Sequence, residues 1–199
     1  MSQRKATVTR ETRETSSTVS ILLDGSGQEA ISTGNGMLDH LLAQLARHGL
    51  IDLNIETKGD IQTGWHHTVE DTAITLGRAL LQALGDGSGI RRMGHALVPL
   101  DEALVQVALD LSGRGYASID LNLSGKRIND LPGDMVHHFL ETLALEAKMN
   151  LHVKIHTGVN THHIAEAAFK GIARSLRDAL ELDPRALGQI PSTKGTISA

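Results

Sequence analysis

Apolar positions along the chain switch repeatedly between a period of two and a period near 3.6. Stretches 5–13 and 17–24 are rich in β-branched residues and predict two strands. The run GMLDHLLAQLARHG at 36–49 spaces Met37, Leu41, Leu45 and His48 along one helical face and stops at a glycine. Residues 50–57 alternate apolar and polar, so they predict a half-buried strand. Residues 67–84 place Val69, Ala73, Leu76, Leu80 and Leu84 on one stripe and predict a helix ending at Gly85. The segment GDGSGIRR (85–92) has turn chemistry. Beyond it the order recurs, with strands predicted at 93–100, 102–111 and 115–123, a helix at 134–150, a strand at 151–157 and a helix at 162–180. The polar tail QIPSTKGTISA is expected to be mobile until it has something to bind.

The recurrence holds residue by residue. A shift of 96 lays His66, His67, Glu70 and Arg78 on His162, His163, Glu166 and Arg174; a shift of 98 lays His40 on His138; a shift of 86 lays Val19, Leu23 and Asp24 on Val105, Leu109 and Asp110. Leu and Ala matches between amphipathic helices come cheaply, but the paired HHxxE motifs do not. The chain therefore reads as α+β with an internal duplication: two similar halves, each a four-stranded mixed sheet packed with two helices. The halves are placed at 1–92 and 93–199, the second carrying the tail, and together they form one compact unit.

Composition narrows the chemistry. The 199 residues are 40% hydrophobic and 21% charged, with no Cys and a net charge of −4. Disulfide scaffolds, zinc ribbons and cysteine nucleophiles are excluded. Four aromatic residues in an acidic chain are poor equipment for gripping nucleic acid. No apolar run approaches the roughly 20 residues of a membrane span, and the polar start is no signal peptide. A cytoplasmic protein that binds neither membrane nor nucleic acid is expected. Histidine is the outlier, with 11 copies, most of them clustered.

The strongest motifs are HHTVE (66–70) and HHIAE (162–166). On a helix, positions i and i+4 lie about 40° apart, whereas i and i+1 lie about 100° apart. His66 and Glu70 can therefore share one ion while His67 points elsewhere, and His162, Glu166 and His163 repeat the arrangement. Two such motifs facing across a pseudo-twofold axis predict two metal sites: His66, Glu70, His163 and His138 for one, His162, Glu166, His67 and His40 for the other. Three imidazoles and one carboxylate suit Mn, Fe or Zn, and ligand type alone does not choose among them. Asp39 and Asp71 are candidates for orienting the ligating rings. The spacing differs from HExxH, which disfavours a zinc protease. His48, His95, His152 and His156 read as ordinary core or surface histidines.

A second cluster is cationic: Arg91, Arg92, Arg114 and the Ser-Thr-Lys at 192–194. Forked guanidiniums with a Ser/Lys pair suit a phosphate monoester. GDGSG lacks the ending of a P-loop. Acidic candidates for proton transfer are Glu14, Asp101 and Glu102, which spacing alone does not separate from surface charges.

GMLDHLLAQLARHG, HHTVEDTAITLGRAL, GIRRMGHALVPLDEAL, ALDLSGRGY, THHIAEAAFK and PSTKG together closely resemble the imidazoleglycerol-phosphate dehydratase family of histidine biosynthesis. The resemblance runs from about residue 5 to 196, with motif order and spacing preserved. Trp65, Gly115 and His137 depart from it, standing where an acidic residue, Pro and Glu are common.

The resemblance implies a hydro-lyase that converts D-erythro-imidazole glycerol 3-phosphate to imidazole acetol phosphate and water. It implies two Mn2+ per active site, binding the substrate ring as imidazolate, and a homo-oligomer, a 24-mer built from trimers with active sites at subunit interfaces. Its metal positions fall on His40, His66, His67, Glu70, His138, His162, His163 and Glu166, the eight already selected by the duplication. Its substrate positions fall on Glu14, Arg92, Arg114, Lys170, Ser192 and Lys194, with the phosphate on Arg92, Arg114, Ser192 and Lys194. Glu14, His40, His67 and His162 take the catalytic roles, Glu14 as the proton-transfer carboxylate. Such chemistry needs an activated ring, because a proton beside a secondary alcohol is not acidic; an imidazolate can expel the neighbouring hydroxyl and so acidify the next C–H. Without the resemblance, the same ligands also suit another two-metal hydrolase acting on a phosphorylated small molecule, or a non-catalytic metal-binding assembly protein.

Overall fold

A computed structural model describes residues 3–197. The first half contains β1 (Lys5–Glu11), β2 (Thr15–Leu22), β3 (Glu29–Ser32), α1 (Gly36–Gly49), β4 (Asp52–Gly59) and α2 (His66–Leu84). The second contains β5 (Met93–Leu100), β6 (Ala103–Asp110), β7 (Tyr116–Asp120), the short pair β8 (Arg127–Ile128) and β9 (Leu131–Pro132), α3 (Gly133–Glu146), β10 (Asn150–Thr157) and α4 (Thr161–Leu180).

The two main sheets have one topology. Their orders are β1-β2-β4-β3 and β5-β6-β10-β7, and in each only the last pair is parallel. The α+β duplication is thus a property of the fold as well as of the motifs. β3 was not anticipated: it has four residues, none fully buried, and so carries no alternation to detect. It is nonetheless the fourth strand of its sheet.

Helices α2 and α4 lie on the inner faces of their own sheets, and α1 packs on α4 while α2 packs on α3. The core is therefore a helical layer between two sheets. Leu38, Leu41, Leu42, Phe139, Leu140 and Phe169 fill it almost without solvent contact, the two Phe rings lying 5.7 Å apart. Close approach is bought with glycine: a Cβ on Gly94 of β5 would stand 2.0 Å from the carbonyl oxygen of Ser175 on α4. No helix among the described residues is long and apolar enough to cross a membrane.

Local signals set the helix starts on which the motifs sit. Asn35 caps α1 by accepting from the Leu38 N–H, and Asn160 caps α4 by accepting from the N–H groups of His162 and His163. α3 ends at Glu146 rather than 150, because Lys148 takes a left-handed φ of 50°. The tail expected to be mobile is instead tied down as far as it is described. Gly89 N–H donates to Gln189 O, Arg92 Nη1 donates to Pro191 O, and Ile197 is buried; Ser198 and Ala199 lie outside the described residues.

Candidate active site

The helix pairings that build the core also build the site. Because α1 crosses α4, His40 meets the start of α4; because α3 crosses α2, His138 meets the start of α2. His40, His162 and Glu166 form one cluster, and His66, Glu70 and His138 form the other. Each takes its lone His from the opposite half of the chain.

In the first cluster, the Nε2 atoms of His40 and His162 lie 2.8 and 2.9 Å from one oxygen of Glu166. Lys170 Nζ sits 2.6 Å from the other oxygen. Burial alone would raise the Glu166 pKa, but the hydrogen bonds from Lys170, His40 and His162 hold it at about 2. In the second cluster, the rings of His66 and His138 stack at 4.7 Å, and His138 Nε2 stands 3.4 Å from a Glu70 oxygen. That Nε2 is buried and has no hydrogen-bond partner. An unpartnered buried imidazole nitrogen is costly, and a cation between it, His66 and Glu70 removes that cost. The donor sets fit a divalent ion of the Mn, Fe or Zn kind.

His67 and His163 turn away from the clusters, as adjacent helix positions must. Their rings stand almost perpendicular to those of His66 and His162, at 82° and 86°. Each is held from behind by a carboxylate. His67 Nδ1–H donates to Asp60 at 2.9 Å, and His163 Nδ1–H donates to Glu102 at 2.7 Å. This leaves Nε2 of each ring outward, with Glu14 3.7 Å from that of His67 and Asp101 3.7 Å from that of His163. One chain thus assembles three of the four ligands expected at each site, and the fourth faces outward.

The residues that orient these rings differ from expectation. Asp39 accepts from Thr33 N–H and Oγ1, which secures the loop before α1. Asp71 is buried against Arg10 and Thr15, which ties α2 to the first hairpin. Neither touches a cluster histidine. Asp60 was missed because it lies in the loop before the HH motif, where sequence spacing implies no contact. Glu102, a proton-transfer candidate from the sequence, instead braces the His163 ring.

Arg92, Arg114, Ser192 and Lys194 line one open cleft of about 650 Å³. Arg92 is already engaged there: Nε and Nη2 donate to Asp110 at 2.7 and 3.0 Å, and Nη1 donates to Pro191 O at 2.8 Å. It therefore carries the tail residues to the cleft as well as a charge. Lys170 and Glu14 are not part of this cleft; they stand beside the Glu166 cluster and His67. His48, His95, His152 and His156 join neither cluster. His156 Nε2–H donates to Gln106 Oε1, and His152 leans on Tyr116. Trp65, one of the departures from the family pattern, occupies the N-cap position of α2 and packs partly buried against the core without a capping hydrogen bond.

A duplicated two-sheet α+β fold with paired His/His/Glu clusters and a separate cationic cleft defines the class: a protein built around a multi-histidine centre. The family model described as imidazoleglycerol-phosphate dehydratase matches residues 33–176. Curated relatives of that name include one from Gluconacetobacter diazotrophicus, 52% identical over 98% of this chain and 98% of its own length. Another, from Methanothermobacter thermautotrophicus, is 50% identical over 99% of this chain and 100% of its own. The crystal structure of imidazoleglycerol-phosphate dehydratase from Staphylococcus aureus superposes with a TM-score of 0.81 at 33% identity, covering 90% of this chain and 99% of that one. The chain belongs to the imidazoleglycerol-phosphate dehydratase family, a family of hydro-lyases.

Proposed function

We propose that this chain dehydrates D-erythro-imidazole glycerol 3-phosphate to imidazole acetol phosphate and water in histidine biosynthesis. The observation that carries the reading is the pair of three-ligand clusters, each beginning a helix and each accompanied by an outward-facing His whose Nδ1 is fixed by a carboxylate.

His66, Glu70 and His138 hold one Mn2+ and His40, His162 and Glu166 the other, with His163 and His67 of further copies of the chain as the fourth ligands. The active sites then lie at subunit interfaces in a large homo-oligomer. A divalent cation bound in such a set supplies Lewis acidity and a template for a ring nitrogen of the substrate.

The chain's own residues do the rest. Arg92, Arg114, Ser192 and Lys194 bind the phosphate and so fix the reacting carbons relative to the histidine centre. The overall change removes the hydroxyl from the carbon beside the ring and a hydrogen from the next carbon, giving water and an enol that relaxes to the ketone. Glu14, exposed beside His67, is the carboxylate placed to move a proton. Lys170, ion-paired with Glu166, takes the remaining substrate-binding role that the family pattern implies.

The test is turnover. Protein stripped with chelator and reloaded with Mn2+ is given imidazole glycerol phosphate, and ketone formation is followed. Activity lost on stripping and restored by Mn2+ supports the reading; a fully loaded, assembled sample that forms no ketone contradicts it. Hydrolysis of generic phosphate esters would favour a two-metal hydrolase.

A further inference from the structure

The two copies of the His/His/Glu cluster differ by one charge. Four residues beyond Glu166 stands Lys170; four residues beyond Glu70, at the matching position of the other motif, stands Ile74. Both positions are half-buried on the same face of their helices as the glutamate. Lys170 Nζ lies 2.6 Å from Glu166 Oε1, while His40 and His162 share Oε2. Both oxygens of Glu166 are therefore engaged, one of them by a fixed cation.

Glu70 is free of such competition. Among the described residues its one ion-pair contact is His138, at 3.4 Å. Arg10, which acts on Glu70 only through space, bonds instead to Asp71 at 2.8 Å, and that carboxylate offsets its charge. On this side the structure instead leaves a buried nitrogen, His138 Nε2, without a hydrogen bond, its contact with Glu70 being too long for one.

We infer that the two cation positions are unequal: the His66–Glu70–His138 position fills first and holds its ion more tightly, and Lys170 makes the His40–His162–Glu166 position the weaker, exchangeable one. The inference rests on the two-metal reading above. A dication entering the Glu166 cluster must share that carboxylate with an ammonium group. Repulsion between the two at contact separation is enough for a difference of at least about tenfold in affinity, even with the screening typical near a protein surface. The outward ligands do not cancel the difference. His67 comes with Asp60 and Glu14, and His163 with Glu102 and Asp101, so each brings one imidazole backed by two carboxylates.

The experiment is a titration of metal-stripped full-length protein with Mn2+, reading free Mn2+ by electron paramagnetic resonance. The expected result is two classes of site in equal number, at least about tenfold apart. Lys170→Met tightens the weaker class and leaves the tighter one in place; Ile74→Lys weakens the tighter class. Circular dichroism and gel filtration establish that each variant is folded, and Lys170→Met alone decides the matter if Ile74→Lys is not. A single class of two equivalent sites overturns the inference and leaves the two-metal reading standing, as does a Lys170→Met variant that shifts both classes or neither. Failure of the native protein to bind Mn2+ overturns both.

Discussion

Glu102 holds His163 by a 2.7 Å hydrogen bond to Nδ1, while its second oxygen accepts from the backbone N–H groups of Val159 and Asn160 at 3.1 and 2.8 Å. The carboxylate is thus anchored to the loop that starts α4 and passes that order on to the imidazole. The hydrogen bond from His163, reinforced by those two N–H groups, holds Glu102 at a pKa of about 2. Asp60 does the same for His67 through one bond of 2.9 Å. Removing such an orienting partner typically costs about 10–100-fold in metal affinity. Glu102→Ala is therefore expected to weaken Mn2+ binding by that order, and Glu102→Gln, which keeps an acceptor for Nδ1–H, by less. Equilibrium dialysis checks this; unchanged affinity in Glu102→Ala removes the positioning role.

Arg92 and Lys194 line the same cleft but are built in differently. Arg92 bonds Asp110 in two places and Pro191 O in a third, with only 18% of its side chain exposed. Arg92→Ala is expected to raise KM sharply and also to lower stability by about 2 kcal/mol, the scale of losing a charged, partly buried hydrogen-bonded pair. Lys194 is exposed. Lys194→Ala should raise KM and leave the unfolding midpoint where it was. Thermal melts beside steady-state kinetics separate the two, and equal melts for both variants would show that Arg92 does not brace the tail.

The seating of α4 on β5 depends on a missing side chain. At Gly94 a Cβ would lie 2.0 Å from Ser175 O and 3.0 Å from Ala179 N, both backbone atoms that cannot swing aside. Gly94→Ala should cost at least about 1–3 kcal/mol, the usual range for forced overpacking. Denaturant unfolding of metal-free protein measures it directly, and an unchanged midpoint would mean that α4 shifts freely on the sheet.

Metal uptake should release protons in a pH-dependent way. The hydrogen bonds to Asp60 and Glu102 raise the pKa of His67 and His163 above the ordinary 6.5, so both rings keep their proton to higher pH in the metal-free protein. A cation needs the neutral ring and must displace that proton. Uptake at about pH 6.5 is therefore weaker and releases more protons than uptake at about pH 8.5. Calorimetry in buffers of different ionisation enthalpy counts them; equal release at the two pH values would contradict the assignment of these rings as ligands.

Much of this was legible in the residues. The two HHxxE motifs open α2 and α4, where periodicity already pointed, and the i, i+4 rule alone separated the inward pairs His66/Glu70 and His162/Glu166 from the outward His67 and His163. What spacing does not encode is which loop comes to rest behind an outward ring. Asp39 and Asp71 sit next to candidate ligands in sequence, yet Thr33, Arg10 and Thr15 claim them. Asp60 reaches His67 only because the turn at Ile61–Thr63 folds it back. The strand β3 escaped notice for a related reason: its pairing with β4, not its composition, makes it a strand.

In the proposed arrangement, each three-ligand cluster holds a cation completed by an outward histidine from another copy of the chain. Anomalous diffraction at the manganese edge from Mn2+-loaded crystals tests it most directly. Two peaks per chain are expected, one among His66, Glu70 and His138 with a neighbouring copy's His163 as fourth ligand, the other among His40, His162 and Glu166 with a neighbouring copy's His67. No anomalous density at either cluster, or density bound without a second chain, would contradict it.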